Sequence, residues 1–354
     1  MAQRNILLYG ANGYTGHLIA RLSLARGLKF ILAGRDRAKI EALATELKLP
    51  HLAFSLDDTS ALDAALKDVA AVLHCAGPFS HTSKPVADAC LRNQTHYLDI
   101  TGEIAVFESL AARDAEAKSA NVMLLPGTGF DVVPSDCLAA HLKRRLPSAT
   151  KLTLGIQGLG RISHGTATTM VENINRGGLV RRDGRLTPVP AAWKTRLIDF
   201  GRGPVSATTI PWGDVSTAYH STGIPNIEVY AAMPAMMRRM MKASRPFGSL
   251  LKTPAAQNFL KRHIKAQPAG PSDEERAKGK SFVWGEVEDE SGHRMASRLQ
   301  GPEGYTLTAL TALAIAERVL AGDAPNGFQT PSRAYGADFI LNIEGVKRED
   351  LETI

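Results

Sequence analysis

ILLYGANGYTG, residues 6–16, is the stretch whose reading decides the fold of this chain. Ile6, Leu7, Leu8 and Tyr9 make a short apolar run, and Gly10, Gly13 and Gly16 follow at a spacing of three. Leu18, Ile19 and Leu22 then set up a helical period without delay. A strand that ends in such a turn and restarts as a helix predicts a phosphate-binding loop. One glycine removes a Cβ from the tight turn, a second lets backbone N–H groups approach a pyrophosphate, and a third lets helix and strand pack closely. The helix then offers its free N–H groups and positive dipole end to the phosphates.

Working outward, the same strand-to-helix alternation continues to about residue 150. Strands are expected at 4–9, 29–33, 51–54, 70–75, 96–100 and 121–125, with helices near 15–26, 37–47, 59–66, 83–92, 103–118 and 134–145. This pattern predicts an α/β fold with a Rossmann-type doubly wound parallel sheet, whose ligand lies outside the carboxyl ends of the strands. Beyond 150 the pattern turns antiparallel. A strand at 151–159 precedes a helix from Ser163 to about Asn175, a hairpin turns at Asp183-Gly184, and further strand-like segments fall near 205–210, 215–219 and 226–232. A second hairpin is expected over 281–300, an exposed loop over 268–280, and a helix over Thr306–Ala321. The expected domains are therefore 1–150, completed by 305–354, and a second α+β domain of mixed, largely antiparallel sheet over 151–304.

The end of the second strand chooses the dinucleotide. An acidic residue there would hold a ribose 2′-hydroxyl, whereas this chain reads ILAGRDR, with Gly34 and Arg35 directly after the strand. A guanidinium suits a 2′-phosphate, Gly34 leaves room for the adenine, and Asp36 is placed to cap the next helix. The expected cofactor is NADP.

The composition is that of an ordinary globular chain, 44% hydrophobic and 22% charged over 354 residues. No apolar run is long enough for a spanning helix, and no signal-peptide pattern opens the sequence. Cys75, Cys90 and Cys137 are isolated, so neither a disulfide framework nor a metal site is expected, and a reduced cytoplasmic setting fits. The net charge of +7 is local: Arg238, Arg239, Lys242, Arg245, Lys252, Lys261, Arg262 and Lys265 lie together with no acid among them. The rest of the chain has 34 basic and 35 acidic side chains, which argues against nucleic acid as a partner. The methionine-rich segment MPAMMRRMMKASRPFGSLLK suits either a partly buried helix with a solvated basic side, or a lid or docking face for an acyl carrier protein or an anionic membrane surface. A homodimer through the second domain is a further expectation.

GANGYTG, AGR, CAGPF, PVADAC, YLDITGE and GFDVVPSD, with weaker agreement in GYTLTALTALA and FQTPSRAYG, together resemble the saccharopine dehydrogenase-like oxidoreductases, including the trans-acting enoyl reductases. The resemblance spans most of the chain. It implies an NADP-binding first domain, an α/β second domain and a redox activity. It supports Gly10, Gly13, Gly16, Arg35 and the turn Ala76-Gly77-Pro78-Phe79 as cofactor contacts. Asn12, Tyr14 and Thr15 in the loop, Gly34, Cys75 and Thr101 complete the expected set. Two departures limit the transfer: Thr82-Ser83-Lys84 replaces a Tyr-Gly-acid triplet common among relatives, and His164-Gly165-Thr166 replaces a double glycine before threonine.

Hydride transfer also needs a donor for developing negative charge. No tyrosine has a lysine four residues later, which removes the Tyr-x-x-x-Lys mechanism. His164, at a helix start, is the catalytic candidate, with a capping role as its alternative. Asp99 and Asp131, after the fifth and sixth strands, divide between backbone hydrogen bonding and a role at the substrate. The expected activity is NADPH-dependent reduction of an unsaturated, enoyl or carbonyl, small or lipid-like acyl substrate. The alternatives are a C=N reductase that would hold carboxylates on Arg161, Arg176, Arg181 and Arg182, or an NADP-binding protein without turnover.

Overall fold

The computed structural model describes residues 5–158, 160–173, 177–243 and 253–352. The chain divides into two compact units. One comprises residues through Val133 with Tyr305–Ala334, and the other Pro134–Gly304 with residues from Tyr335 onward.

The first unit is built on a wholly parallel sheet of β1 (Asn5–Tyr9), β2 (Ile31–Gly34), β3 (His51–Ala53), β4 (Val69–His74), β5 (His96–Asp99), β6 (Met123–Leu125) and the short β15 (Gly327–Phe328). Their spatial order is β15-β6-β5-β4-β1-β2-β3, so the sequence order reverses between β1 and β4. Nearly every residue of β1 and β4 is buried, as expected of strands covered on both faces. The expected α/β doubly wound architecture is present. Helices at Arg37–Leu47 and Thr59–Leu66 begin on Asp36 and Asp58, whose carboxylates accept the Lys39 and Ala61 backbone N–H groups.

Several local expectations change. The helix expected near 83–92 is Phe79–Asn93 and starts four residues earlier. Its first N–H groups are satisfied by a distant carboxylate, Glu103, which no local signal announces. The helix expected over 103–118 is two, Ile104–Ala111 and Asp114–Ser119.

In the second unit, β7 (Lys151–Gln157), β8 (Gly178–Arg182), β9 (Arg185–Val189), β10 (Thr195–Asp199), β11 (Pro204–Thr209), β12 (Asn226–Ala232), β13 (Lys280–Glu288), β14 (Arg294–Pro302) and β16 (Lys347–Leu351) form one mixed sheet. Its main order is β10-β11-β12-β7-β13-β14-β16, with β8 and β9 attached at β12. Only β12 and β7 pair in parallel among the described strands. Gly285 lies against Leu138 and Leu142 of the helix Val133–Arg145, which covers one face. Ile198, Phe200, Tyr230, Phe282 and Trp284 make a separate apolar cluster.

The segment 215–219 is not a strand but part of the helix Asp214–Thr222, stopped by Gly223 at φ +70°. The loop expected over 268–280 contains the helix Asp273–Lys278, opened by a reciprocal capping box between Ser272 and Glu275. The helix Gly304–Leu320 does join the first unit, but the tail joins the second. Strand β16 pairs along β14, and its Asp350 accepts from Ser297 Oγ and His141 Nε2, both at 2.7 Å. Residues 134–150 likewise belong to the second unit. The expected ends of two elements, at Arg4 and Asn175, lie outside the described residues.

Candidate active site

The first unit brings the loops after β1, β2, β4, β5 and β6 to one edge of its sheet, and close contacts lace neighbouring loops together. The loop after β1 starts at Gly10, with φ +84°, where a Cβ would stand 2.8 Å from the Ala76 nitrogen and 2.9 Å from the Cys75 carbonyl carbon. Neither a side chain nor its strained backbone is tolerated there. At Gly16 a Cβ would lie 2.3 Å from the Gly10 oxygen, so this glycine lets the helix Tyr14–Ala25 seat on the turn. Gly13 is the N-cap residue, extended and with no side-chain cap, so the first N–H groups of that helix are not closed off by a capping side chain. Gly10 and Ala11 both donate to the Ala33 carbonyl, which ties the turn to β2. Tyr14 packs edge-on against Tyr305, and Asn12 and Thr15 lie at the loop's surface and its first helical turn.

At the end of β2, Arg35 is exposed and makes no hydrogen bond or ion pair with a described residue. Asp36 is engaged: its carboxylate caps Lys39 N at 3.2 Å, and this hydrogen bond holds it below the usual carboxylate range. Gly34, the last residue of β2, is closely surrounded. The space where its Cβ would stand is bordered by Asn12 Oδ1 and Ile40 Cδ1, each 3.0 Å away, so this glycine makes room for the chain's own side chains.

Beyond β4, Cys75–Phe79 passes Gly10 and turns through a cis Gly77–Pro78 bond. Burial, with the Asp99 charge adding to it, pushes the Cys75 thiol up, so it is no thiolate nucleophile. Phe79 N and Ser80 N donate to the two oxygens of Glu103 at 2.7 and 3.1 Å, which joins the β4 loop to the β5 loop. Thr101, expected to touch the cofactor, is wholly buried. Its hydroxyl accepts Glu103 N at 3.0 Å, so it acts on the site by fixing Glu103.

Two carboxylates after β5 and β6 separate by environment. Asp99 is fully buried and accepts Tyr97 OH, Thr101 N and Gly127 N at 2.6, 2.9 and 2.8 Å. It staples the ends of β5 and β6. Burial raises its pKa to about 6 against the pull of those hydrogen bonds. Asp131, half-buried, accepts no hydrogen bond from a described residue, and burial alone raises it to about 6. Its side chain occupies the space that a Cβ on Gly102 would need, with Oδ2 2.7 Å and Cβ 3.1 Å from that position. Gly102 therefore exists to admit Asp131.

In the second unit, His164 opens the helix His164–Asn173 as expected, but its ring is engaged. Nε2 lies 2.7 Å from the Gln267 carbonyl, which can only accept, so the imidazole hydrogen is donated there. His164 N donates to Ala269 O. His164 thus holds the 267–269 loop through Nε2 and its backbone N–H, and this hydrogen bond fixes the ring with Nδ1 as its remaining nitrogen. The arginines proposed to grip carboxylates are committed too. Arg181 is buried and donates to Val215 O and Gly184 O, Arg182 stacks on Trp193, and Arg161 pairs with Glu275. Arg176 lies outside the described residues. Among these residues no cluster of histidine, cysteine and carboxylate could hold a metal ion.

A glycine turn at the point where strand order reverses, a free guanidinium to one side and a desolvated carboxyl to the other define a dinucleotide-binding protein of the doubly wound class. Residues 6–125, which lie in the first unit, match the family model described as saccharopine dehydrogenase NADP binding domain. Among curated relatives, the chain is 28% identical over 219 residues to a saccharopine dehydrogenase-like oxidoreductase of Mus musculus, which covers 56% of this chain and 46% of that one. It is 31% identical over 150 residues to a trans-acting enoyl reductase of Mycobacterium leprae, which covers 40% and 36%. The chain thus spans less than half the length of these relatives. Among solved structures, apo saccharopine dehydrogenase (L-Glu forming) from Saccharomyces cerevisiae has the same fold, with a TM-score of 0.68 at 14% identity over 99% of this chain and 100% of that one.

Proposed function

We propose that this protein is an NADPH-dependent reductase of an unsaturated, enoyl or carbonyl, small or lipid-like substrate, with Asp131 as its proton donor. Asp131 carries this reading: it is a carboxyl raised to about 6 by burial, without a hydrogen-bond partner among the described residues, at the strand ends where the fold takes its ligand. When bound, the dinucleotide supplies the hydride. Gly10, Gly13 and Gly16 shape the turn that would receive its phosphates, with Asn12, Tyr14 and Thr15 beside it. Arg35 would hold the 2′-phosphate, and Ala76–Phe79 would border the site past β4. Reduction of a double bond also consumes one proton, which protonated Asp131 can deliver to the reduced substrate.

The C=N alternative needs a cationic pocket, and Arg161, Arg181 and Arg182 are each engaged within the second unit. This favours a less charged substrate. The names of the relatives, an oxidoreductase and an enoyl reductase, agree with the class.

The test is the pH profile of NADPH oxidation over a panel of enoyl thioesters, enals and ketones. Because the protonated carboxyl is the active form, kcat should fall as pH rises through about 6. Asp131→Asn should lower kcat by ~10²-fold or more and remove that inflection, while NADPH still binds. A variant with wild-type kcat and an unchanged profile would remove Asp131 from the mechanism.

A further inference from the structure

We propose that the helix Ala235–Ala243 docks this protein on an anionic lipid bilayer. Along this helix Met236 and Met240 lie one turn apart with Met237 beside them, while Arg238, Arg239 and Lys242 share the opposite side. The helix has no buried residue. Met236, Met237 and Met240 are 67%, 53% and 64% exposed, values at odds with a helix held by its apolar side. On its inner side, Arg238 donates to the Met233 carbonyl at 2.7 Å, just beyond β12, and Met241 is half-buried.

The surrounding sequence has one sign of charge, since the segment 235–265 holds eight cations and no acid. Arg245 and Lys252 lie outside the described residues. Arg239, Lys242 and Arg262 are exposed and have no ion-pair partner among those described. The helix Pro254–Lys265 adds a second exposed apolar side chain, Phe259 at 72%, with exposed Arg262 and His263 on the same side one turn later.

Charge complementarity selects an anionic partner, and the exposed apolar side chains select which kind. Met236, Met237 and Met240 stand out from the helix as flexible apolar side chains beside cations that are unpaired among the described residues. A layer of acyl chains needs no preformed socket to receive them. Methionine side chains can enter it while the flanking guanidinium and ammonium groups reach the phosphates. Docking would be peripheral, because among the described residues no helix is long and apolar enough to cross a membrane. This inference stands apart from the hydride-transfer reading and can fail without it.

The experiment is sedimentation of the full chain with vesicles of phosphatidylcholine alone and of equal parts phosphatidylcholine and phosphatidylglycerol. The protein should bind only the anionic vesicles and leave them at ~1 M salt, where screening shortens to ~3 Å. Arg239→Gln/Lys242→Gln/Arg262→Gln should weaken partitioning at least ~10-fold. Met236→Ser/Met237→Ser/Met240→Ser should weaken it at low salt as well, which a purely electrostatic contact would not do. Circular dichroism and a thermal melt show that each variant is folded, and if the methionine variant fails that control, the charge variant decides. Absence of wild-type binding to anionic vesicles at low salt overturns the proposal. So does full retention of binding by the folded methionine variant, or binding to an acidic acyl carrier protein in place of vesicles.

Discussion

At the scale of single residues, the chain separates neighbouring groups of like chemistry by giving one of them a partner. Arg35 and Asp36 are adjacent, yet Asp36 is spent on Lys39 N while Arg35 is left exposed. Arg35→Ala should therefore weaken NADPH binding by ~1.5–3 kcal/mol, the scale of a lost charge-assisted hydrogen bond, and barely change NADH binding. Parallel titrations with the two cofactors check this, and equal losses would contradict the assignment. Asp99 and Asp131 differ in the same way: three donors hold the first, whereas the second is desolvated without one. The raised Asp131 pKa also has a stability sign. A carboxyl raised from 3.8 to about 6 favours the folded state below its ordinary pKa, and that advantage is lost as pH rises through about 6. Asp131→Asn should accordingly stabilise the protein by ~1–3 kcal/mol at pH ~8 and leave it little changed at pH ~4. Thermal melts at the two pH values measure the difference.

At the scale of elements, the glycine turn is a packing solution as much as a binding one. Gly16→Ala would press a methyl group into the Gly10 carbonyl, a backbone atom that cannot step aside. The expected outcome is a loss of ~1–3 kcal/mol and of NADPH affinity together, seen in a melt and a titration of one sample. Elements whose signals are local were legible in the sequence. The helices Arg37–Leu47 and Thr59–Leu66 match their expected bounds, since Asp36 and Asp58 announce them. The helix Asp273–Lys278 is the exception, since it reads as loop although its signal is local, a capping box of Ser272 and Glu275. The early start of Phe79–Asn93 was not legible, because Glu103 is 24 residues away from its partner. Strand β16 reads Lys-Arg-Glu-Asp-Leu, a charged string that becomes a strand only through its pairing with β14. In the site, Gly102 spoke for Asp131 only once the β5 and β6 ends were juxtaposed.

At the scale of the whole molecule, the chain crosses between units after Val133, after Gly304 and after Ala334, so each unit is assembled from separated stretches. The final stretch closes the second sheet at β14 and brings Asp350 to His141 and Ser297. Removal of residues 347–354 should destabilise the second unit by several of these contacts at once, ~2–4 kcal/mol if each retains the usual ~1 kcal/mol. NADPH affinity, a property of the first unit, should be preserved. Calorimetry of the truncated chain with and without NADPH separates the two responses.

Glu103 has a consequence for how a highly charged ligand finds its register. Of the helices that begin along this sheet edge, Tyr14–Ala25 and Phe79–Asn93 follow the neighbouring strands β1 and β4, and each start attracts anions. The second is already answered by the protein's own carboxylate, while the first begins on a bare glycine. A dinucleotide with several phosphate charges thus meets one receptive end and one that repels it, and the wrong alignment is refused before any contact with the reacting groups. Glu103→Gln would relax that sorting: free inorganic phosphate should then compete with NADPH more effectively than it does in the parent protein.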